Sequence, residues 1–162
     1  MNAIVIMGVS GCGKTTVGRA LAERLDATFI DADDFHPAAS VEKMRAGTPL
    51  NDEDRTPWLA TLNRELRERS LSGERVVLAC SALKIRYREA IGAQLSNVDW
   101  IFLDGSFEAI AERVRARANH YMPESLLRSQ FEALEPPDCA ICISVELTAA
   151  EQVEAALSAL AI

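Results

Sequence analysis

Gly8 to Thr15 read GVSGCGKT, an order of glycines, one ammonium and one hydroxyl that suits chemistry on a chain of phosphates. Gly8, Gly11 and Gly13 free the backbone to turn successive N–H groups inward onto phosphate oxygens. The helix that follows presents its positive end the same way. Lys14 supplies a full charge for β- and γ-phosphates, and the Thr15 hydroxyl is placed to ligand Mg2+. Val9, Ser10 and Cys12 fill the variable positions of the pattern GxxxxGK[ST], and Thr16 follows on the helix. The stretch is therefore expected to hold Mg·ATP.

A second cluster follows in ATFIDADDFHP, where Asp31, Asp33 and Asp34 fall within four positions and His36 stands just beyond. Carboxylates crowded in this way repel one another unless a cation or donor hydroxyls compensate. Asp31 is the better candidate for holding Mg2+, directly or through water, because the third apolar run ends in Cys80 and not in an acid. Asp33 then faces an acceptor hydroxyl as general base. The competing reading is that these acids cap the helix near Ala38, and for His36 a structural role competes with ligand contact.

Basic residues are set for an anion. In CSALKIRYR, Lys84 and Arg88 are four apart and share a helical face, with Ser81 supplying a hydroxyl before them. Arg88 is suited to grip a carboxylate in bidentate fashion, whereas Arg86 reads as solvated surface. Arg55, in NDEDRTPW, either meets the ligand or pairs with the acids beside it. Arg113, Arg115 and Arg117 precede His120 and the run PESLLRSQFEALEPP, and two helical segments joined near NHYMP are expected to form a lid over ATP, spanning about 113–135. Arg113 and Arg117 are the ATP-side arginines, Arg117 being assigned to the charge that develops on a transferring phosphoryl group.

These groups need a frame. The apolar runs AIVIM (3–7), ATFI (27–30), RVVLAC (75–80), WIFL (100–103) and AICISV (140–145) alternate with helical patterns, the signature of a parallel sheet with crossover helices. Val17, Leu21 and Leu25 repeat at helical spacing, as do Trp58, Leu62 and Leu66, then Ile110, Ala111 and Val114, then Val153, Leu157 and Leu160. Thr148 and Glu151 form a capping-box pair at the start of the last helix. In such a sheet ligands sit at the carboxyl ends of the strands, where the segments above fall.

The 162 residues fit one domain, 1–162, without repeat or linker. A net charge of −7 argues against nucleic acid as a partner, and no apolar stretch is long enough to span a membrane. The start MNAIVIMG reads as a strand and not a secretion signal, which points to the cytoplasm. The cysteines Cys12, Cys80, Cys139 and Cys142 suit a reducing compartment, and the Cys139/Cys142 pair reads as buried small residues of a strand in preference to a zinc site.

With these residues in view, the chain resembles the gluconokinase family, relatives of the shikimate and nucleoside monophosphate kinases. The likeness rests on MGVSGCGKT (7–15), DADDFHP (31–37), KMRAGTPLNDEDRTPWL (43–59), ACSALKIRYR (79–88) and HYMPESLLRSQFEALE (120–135). It implies a three-layer α/β/α P-loop fold of the nucleoside monophosphate kinase type, a five-stranded parallel sheet and a short helical lid. It also implies ATP:gluconate phosphotransfer giving 6-phosphogluconate, commonly by a homodimer, with Asp33, Arg55, Lys84 and Arg88 around the sugar acid. A shikimate-type kinase fits less well, since SALK stands where a glycine-triplet loop is expected. A nucleoside monophosphate kinase lacks an evident base-stacking pocket here, a GTP-dependent switch lacks an NKxD-like motif, and a nucleotide sensor without turnover is separable only by assay.

Overall fold

The computed structural model describes residues 3–117 and 123–161. Five strands, β1 (Ala3–Met7), β2 (Thr28–Asp31), β3 (Val76–Ala79), β4 (Val98–Asp104) and β5 (Ile141–Ser144), form one sheet in the order β2-β3-β1-β4-β5. Every pairing in it is parallel. Seven α-helices are described: α1 (Lys14–Arg24), α2 (Ala38–Arg45), α3 (Asp52–Leu71), α4 (Ile85–Gly92), α5 (Phe107–Ala116), α6 (Glu124–Ala133) and α7 (Ala149–Leu160).

The period of two along β1 divides the core. Ile4 and Ile6 face a layer that includes Val17 and Leu21 of α1, Ile110 and Val114 of α5, and Val153 and Leu157 of α7. Ala3, Val5 and Met7 face the other layer, with Trp58, Leu62 and Leu66 of α3 and Tyr87 and Ile91 of α4. All five residues of β1 are buried, as a central parallel strand covered on both faces requires. The expected three-layer α/β/α architecture is thus present, with the helical stripes on the sheet as their spacing predicts.

The capping box of α7 forms: the Thr148 hydroxyl accepts from Glu151 N–H, and the Glu151 carboxylate accepts from Thr148 N–H. A second box opens α3, between Asn51 and Asp54. One expectation fails. Cys139 and Cys142 are exposed and not buried: Cys139 lies in the turn before β5, and Cys142 is on the open side of β5, an edge strand with only one neighbour and alternate residues turned to solvent. Among the described residues no group of three or more His, Cys, Asp or Glu is placed to hold a metal. Cys80 is fully buried, and burial pushes its thiol up to about 12, which leaves it inert.

Winding about β1 decides where ligands go. The chain passes from β1 to β2 and β3 on one side, then crosses to β4 and β5 on the other. Ligands bind at such a switch point, outside the carboxyl ends of the strands. The loops after β2 and β3 form one flank and those after β4 and β5 the other.

Candidate active site

Between β1 and α1 the loop takes the path its glycines allow, with Gly8, Gly11 and Gly13 all at positive φ. At Gly11 the reason is also steric, since an added Cβ would meet Val114 at 2.4 Å. Lys14 Nζ donates to the carbonyls of Gly8 and Val9, both at 3.0 Å, so the ammonium lies over the loop that its own helix begins. Cys12 is buried beneath it.

Thr15 and Asp31, 16 positions apart, meet: the Thr15 hydroxyl donates to Asp31 Oδ2 at 3.1 Å. This joins the first turn of α1 to the carboxyl end of β2 with two hard oxygen donors, a set that fits Mg2+, which takes one or two protein oxygens and completes its shell with phosphate and water. The other Asp31 oxygen accepts from Asp33 N–H at 3.1 Å, capping the short 3-10 turn Ala32–Phe35. The acids therefore do not cap the helix near Ala38, whose N-cap is Pro37 without a side-chain bond.

Asp33 points outward, its side chain 86% exposed. His36 and Lys14 hold its carboxyl below the usual carboxylate range, His36 contributing most, with Nε2 3.7 Å from Oδ1. The His36 ring is itself buried, stacked on Trp58 with centroids 4.3 Å apart. Trp58 Nε1 donates to Ala32 O at 2.7 Å, so one indole orients both the imidazole and the 3-10 turn. His36 thus faces Asp33 from behind.

Behind these acids lie the cations. Asp54 accepts from Lys43 at 2.8 Å, which leaves the neighbouring Arg55 without an ion pair among the described residues. Arg55 is half-buried, its Nε has no hydrogen-bond partner, and its one bond is a 3.5 Å contact to Leu50 O. Its guanidinium lies 5.6 Å from the Tyr87 ring centroid. Lys84 Nζ is at the same distance from that ring and 3.3 Å from Asp52 Oδ1, and Asp52 also accepts from the Tyr87 hydroxyl and pairs with Arg86. Arg86 is exposed, as read from the sequence, and forms its ion pair there.

Lys84 and Arg88 do not share a helical face. Lys84 is the extended N-cap of α4, and Arg88 curls back to donate to Ala82 O, Leu83 O and Glu135 O at 2.9, 3.2 and 2.9 Å. Ser81 is joined to the phosphate loop through its carbonyl, which accepts from Gly8 N–H at 3.3 Å.

On the other flank, Arg113 donates to Val145 O at 2.5 Å, and its Nη2 lies 3.8 Å from where a Cβ on Gly13 would stand. Among the described residues it forms no ion pair with Glu108 or Glu112 of its own helix. Arg117 is the exposed C-cap of α5. The joint expected near NHYMP, with His120, lies outside the described residues apart from Pro123. Within the stretch expected to form the lid, α6 packs on the core through Leu127, which is 2% exposed. Asp52, Tyr87, Trp58, Gln130 and Glu135 were not singled out from sequence as site residues; for Asp52 the available signal was three cations and a phenol in SALKIRYR needing an anion.

A glycine-lined loop with its lysine, facing carboxylates across the switch point of a parallel sheet, is how P-loop small-molecule kinases are built. The shikimate kinase family model matches residues 10–152. The chain is 43% identical to a gluconokinase of Arabidopsis thaliana over 94% of its length and 87% of that protein's. It is 47% identical to the thermosensitive gluconokinase of Escherichia coli over 84% of its length and 73% of that protein's. The crystal structure of a gluconokinase from Sinorhizobium meliloti superposes with a TM-score of 0.90 at 43% identity, covering 99% of this chain and 91% of that one. The chain belongs to the shikimate kinase family and, within it, to the gluconokinases, and it is an ATP-dependent phosphotransferase.

Proposed function

We propose that this protein transfers the γ-phosphoryl group of ATP to a hydroxyl of D-gluconate, giving 6-phospho-D-gluconate. The observation that carries the acceptor is Arg55: a half-buried guanidinium beside the carboxylate cluster, with a buried Nε that bonds to nothing and no ion pair among the described residues. A planar fork of donors in that condition is matched by a carboxylate. The gluconokinase relatives agree with a sugar acid as its source.

In this reading Lys14 and the amides of the 8–16 segment hold the triphosphate, apart from those of Gly8, Ser10 and Cys12, which bond to Ser81, Gln130 and Val9, with Arg113 and Arg117 on its far side. Thr15 and Asp31 hold Mg2+, which when bound screens the β- and γ-phosphate charge. Arg55 and Lys84 take the acceptor's carboxylate, Ser81 and His36 border it, and Arg88 keeps the Ser81–Lys84 loop in shape. Asp33 accepts the proton of the attacking hydroxyl. We infer a cytoplasmic homodimer; no described helix is long and apolar enough to cross a membrane.

Coupled ADP-release measurements across gluconate, other aldonates, shikimate and nucleoside monophosphates test the reading. Release should depend on gluconate. A preference for another acceptor, or release indifferent to gluconate, would overturn it. Arg55→Ala should raise KM for gluconate roughly tenfold to a hundredfold, the worth of a charge-assisted hydrogen bond, with KM for ATP little changed. An unchanged gluconate KM would remove Arg55 from the acceptor site.

A further inference from the structure

The C-terminal half of α6 is stitched to both sides of the active site. Gln130 Oε1 accepts from Ser10 N–H of the phosphate loop at 2.7 Å, across 120 positions of sequence. Five residues on, Glu135 N–H donates to Leu83 O at 2.8 Å, and its Oε2 accepts from Ile85 N–H at 2.5 Å. Arg88 closes the joint by donating to Glu135 O. Ile85 N–H is an orphan donor of the first turn of α4, whose N-cap Lys84 offers no side-chain bond, so Glu135 caps that helix from a distance. The loop so gripped includes Ala82, buried and held at φ +44, a conformation a non-glycine residue keeps only where its surroundings impose it. Between the two attachments, Leu134 packs against both core layers.

We propose that Gln130 and Glu135 are positioning residues for phosphoryl transfer, through which α6 sets the spacing between the phosphate loop and the Ser81–Arg88 loop, so that occupancy of one site is felt at the other. The residue types fit. A neutral amide accepts from Ser10 without bringing a negative charge to the triphosphate, whereas the carboxylate of Glu135 meets a helix N-terminus, where an anion is favoured. The assignment of 81–88 to the acceptor rests on the function proposed above, but the mechanical claim does not require gluconate to be that acceptor.

The first test uses a non-hydrolysable ATP analogue alone, at saturation. Its binding should slow amide hydrogen exchange in 82–88 several-fold in the wild-type protein, and Gln130→Leu should lose most of that effect. Glu135→Leu removes the side-chain cap on Ile85 N–H at the other end, without touching the phosphate loop or the two backbone bonds of residue 135, and should lose a large part of the effect too. Glu135→Gln, whose amide oxygen still accepts from Ile85 N–H, should restore it. In turnover, Gln130→Leu should lower kcat about tenfold with a smaller change in either KM, since spacing and not ground-state contact is altered. Equal protection of 82–88 in wild type and both leucine variants would show that the direct Gly8–Ser81 bond suffices and would overturn the proposal. Wild-type failure to use gluconate would reject the acceptor reading and leave the exchange result standing.

Discussion

Lys14→Ala is expected to cut turnover by at least a hundredfold while leaving the protein folded. The ammonium serves no distant packing: it bonds two carbonyls of its own loop, Gly8 and Val9, and in the proposed reading meets the β- and γ-phosphate charge. Removing one preorganised donor of this kind raises the barrier by about 3–4 kcal/mol, or two to three powers of ten in rate. Lys14→Arg should do little better, because a planar guanidinium cannot take the place of a compact point charge between two carbonyls. Steady-state kcat measured alongside the thermal midpoint checks this, and wild-type-like turnover in Lys14→Ala would move the active site elsewhere.

Asp33→Asn should lower kcat by about a hundredfold to ten-thousandfold, the usual contribution of a general base. The amide keeps the shape and can orient a hydroxyl but cannot take its proton, so KM for the acceptor should move little. The pH dependence follows from the surroundings of Asp33. His36 and Lys14 lower its carboxyl from 3.8, so the group stays ionised down to that region and any stability it adds is lost only as the pH falls through its depressed value. The acidic limb that Asp33 imposes on kcat/KM should accordingly lie below pH 3.8. Near-normal kcat in Asp33→Asn would make the residue an orienting group only.

What could be read in the chain was what repeats locally or has one chemical use. The phosphate loop, the strand runs, the stripes of α1 and α3 and the box at Thr148 are set by neighbours within a turn or two, and each is present. That Thr15 and Asp31 would meet was legible because each follows a strand whose carboxyl end must face the ligand. Pairing across the fold was not legible. Nothing around Gln130 announces that its amide reaches Ser10, and nothing around Asp52 announces that it gathers Lys84, Arg86 and Tyr87. Arg88 misled because a four-residue spacing implies a shared face only if both residues are helical, and Lys84 is not. Cys142 misled because an apolar run does not reveal whether its strand lies mid-sheet or at the rim, and Cys139 because the strand begins only after it.

Placing the loops after β2 and β3 on one side of β1 and those after β4 and β5 on the other has a consequence for descent. The proposed acceptor residues hang from the β2 and β3 side and Arg113 from the β4 side, with the phosphate loop after β1 between them, so the acceptor flank can drift toward a new metabolite while the opposite flank stays under unchanged selection for ATP. The stretch 130–135, at the end of α6 and just past it, is tied to both the phosphate loop and the Leu83–Ile85 segment, so a substitution there would be judged by two ligands at once.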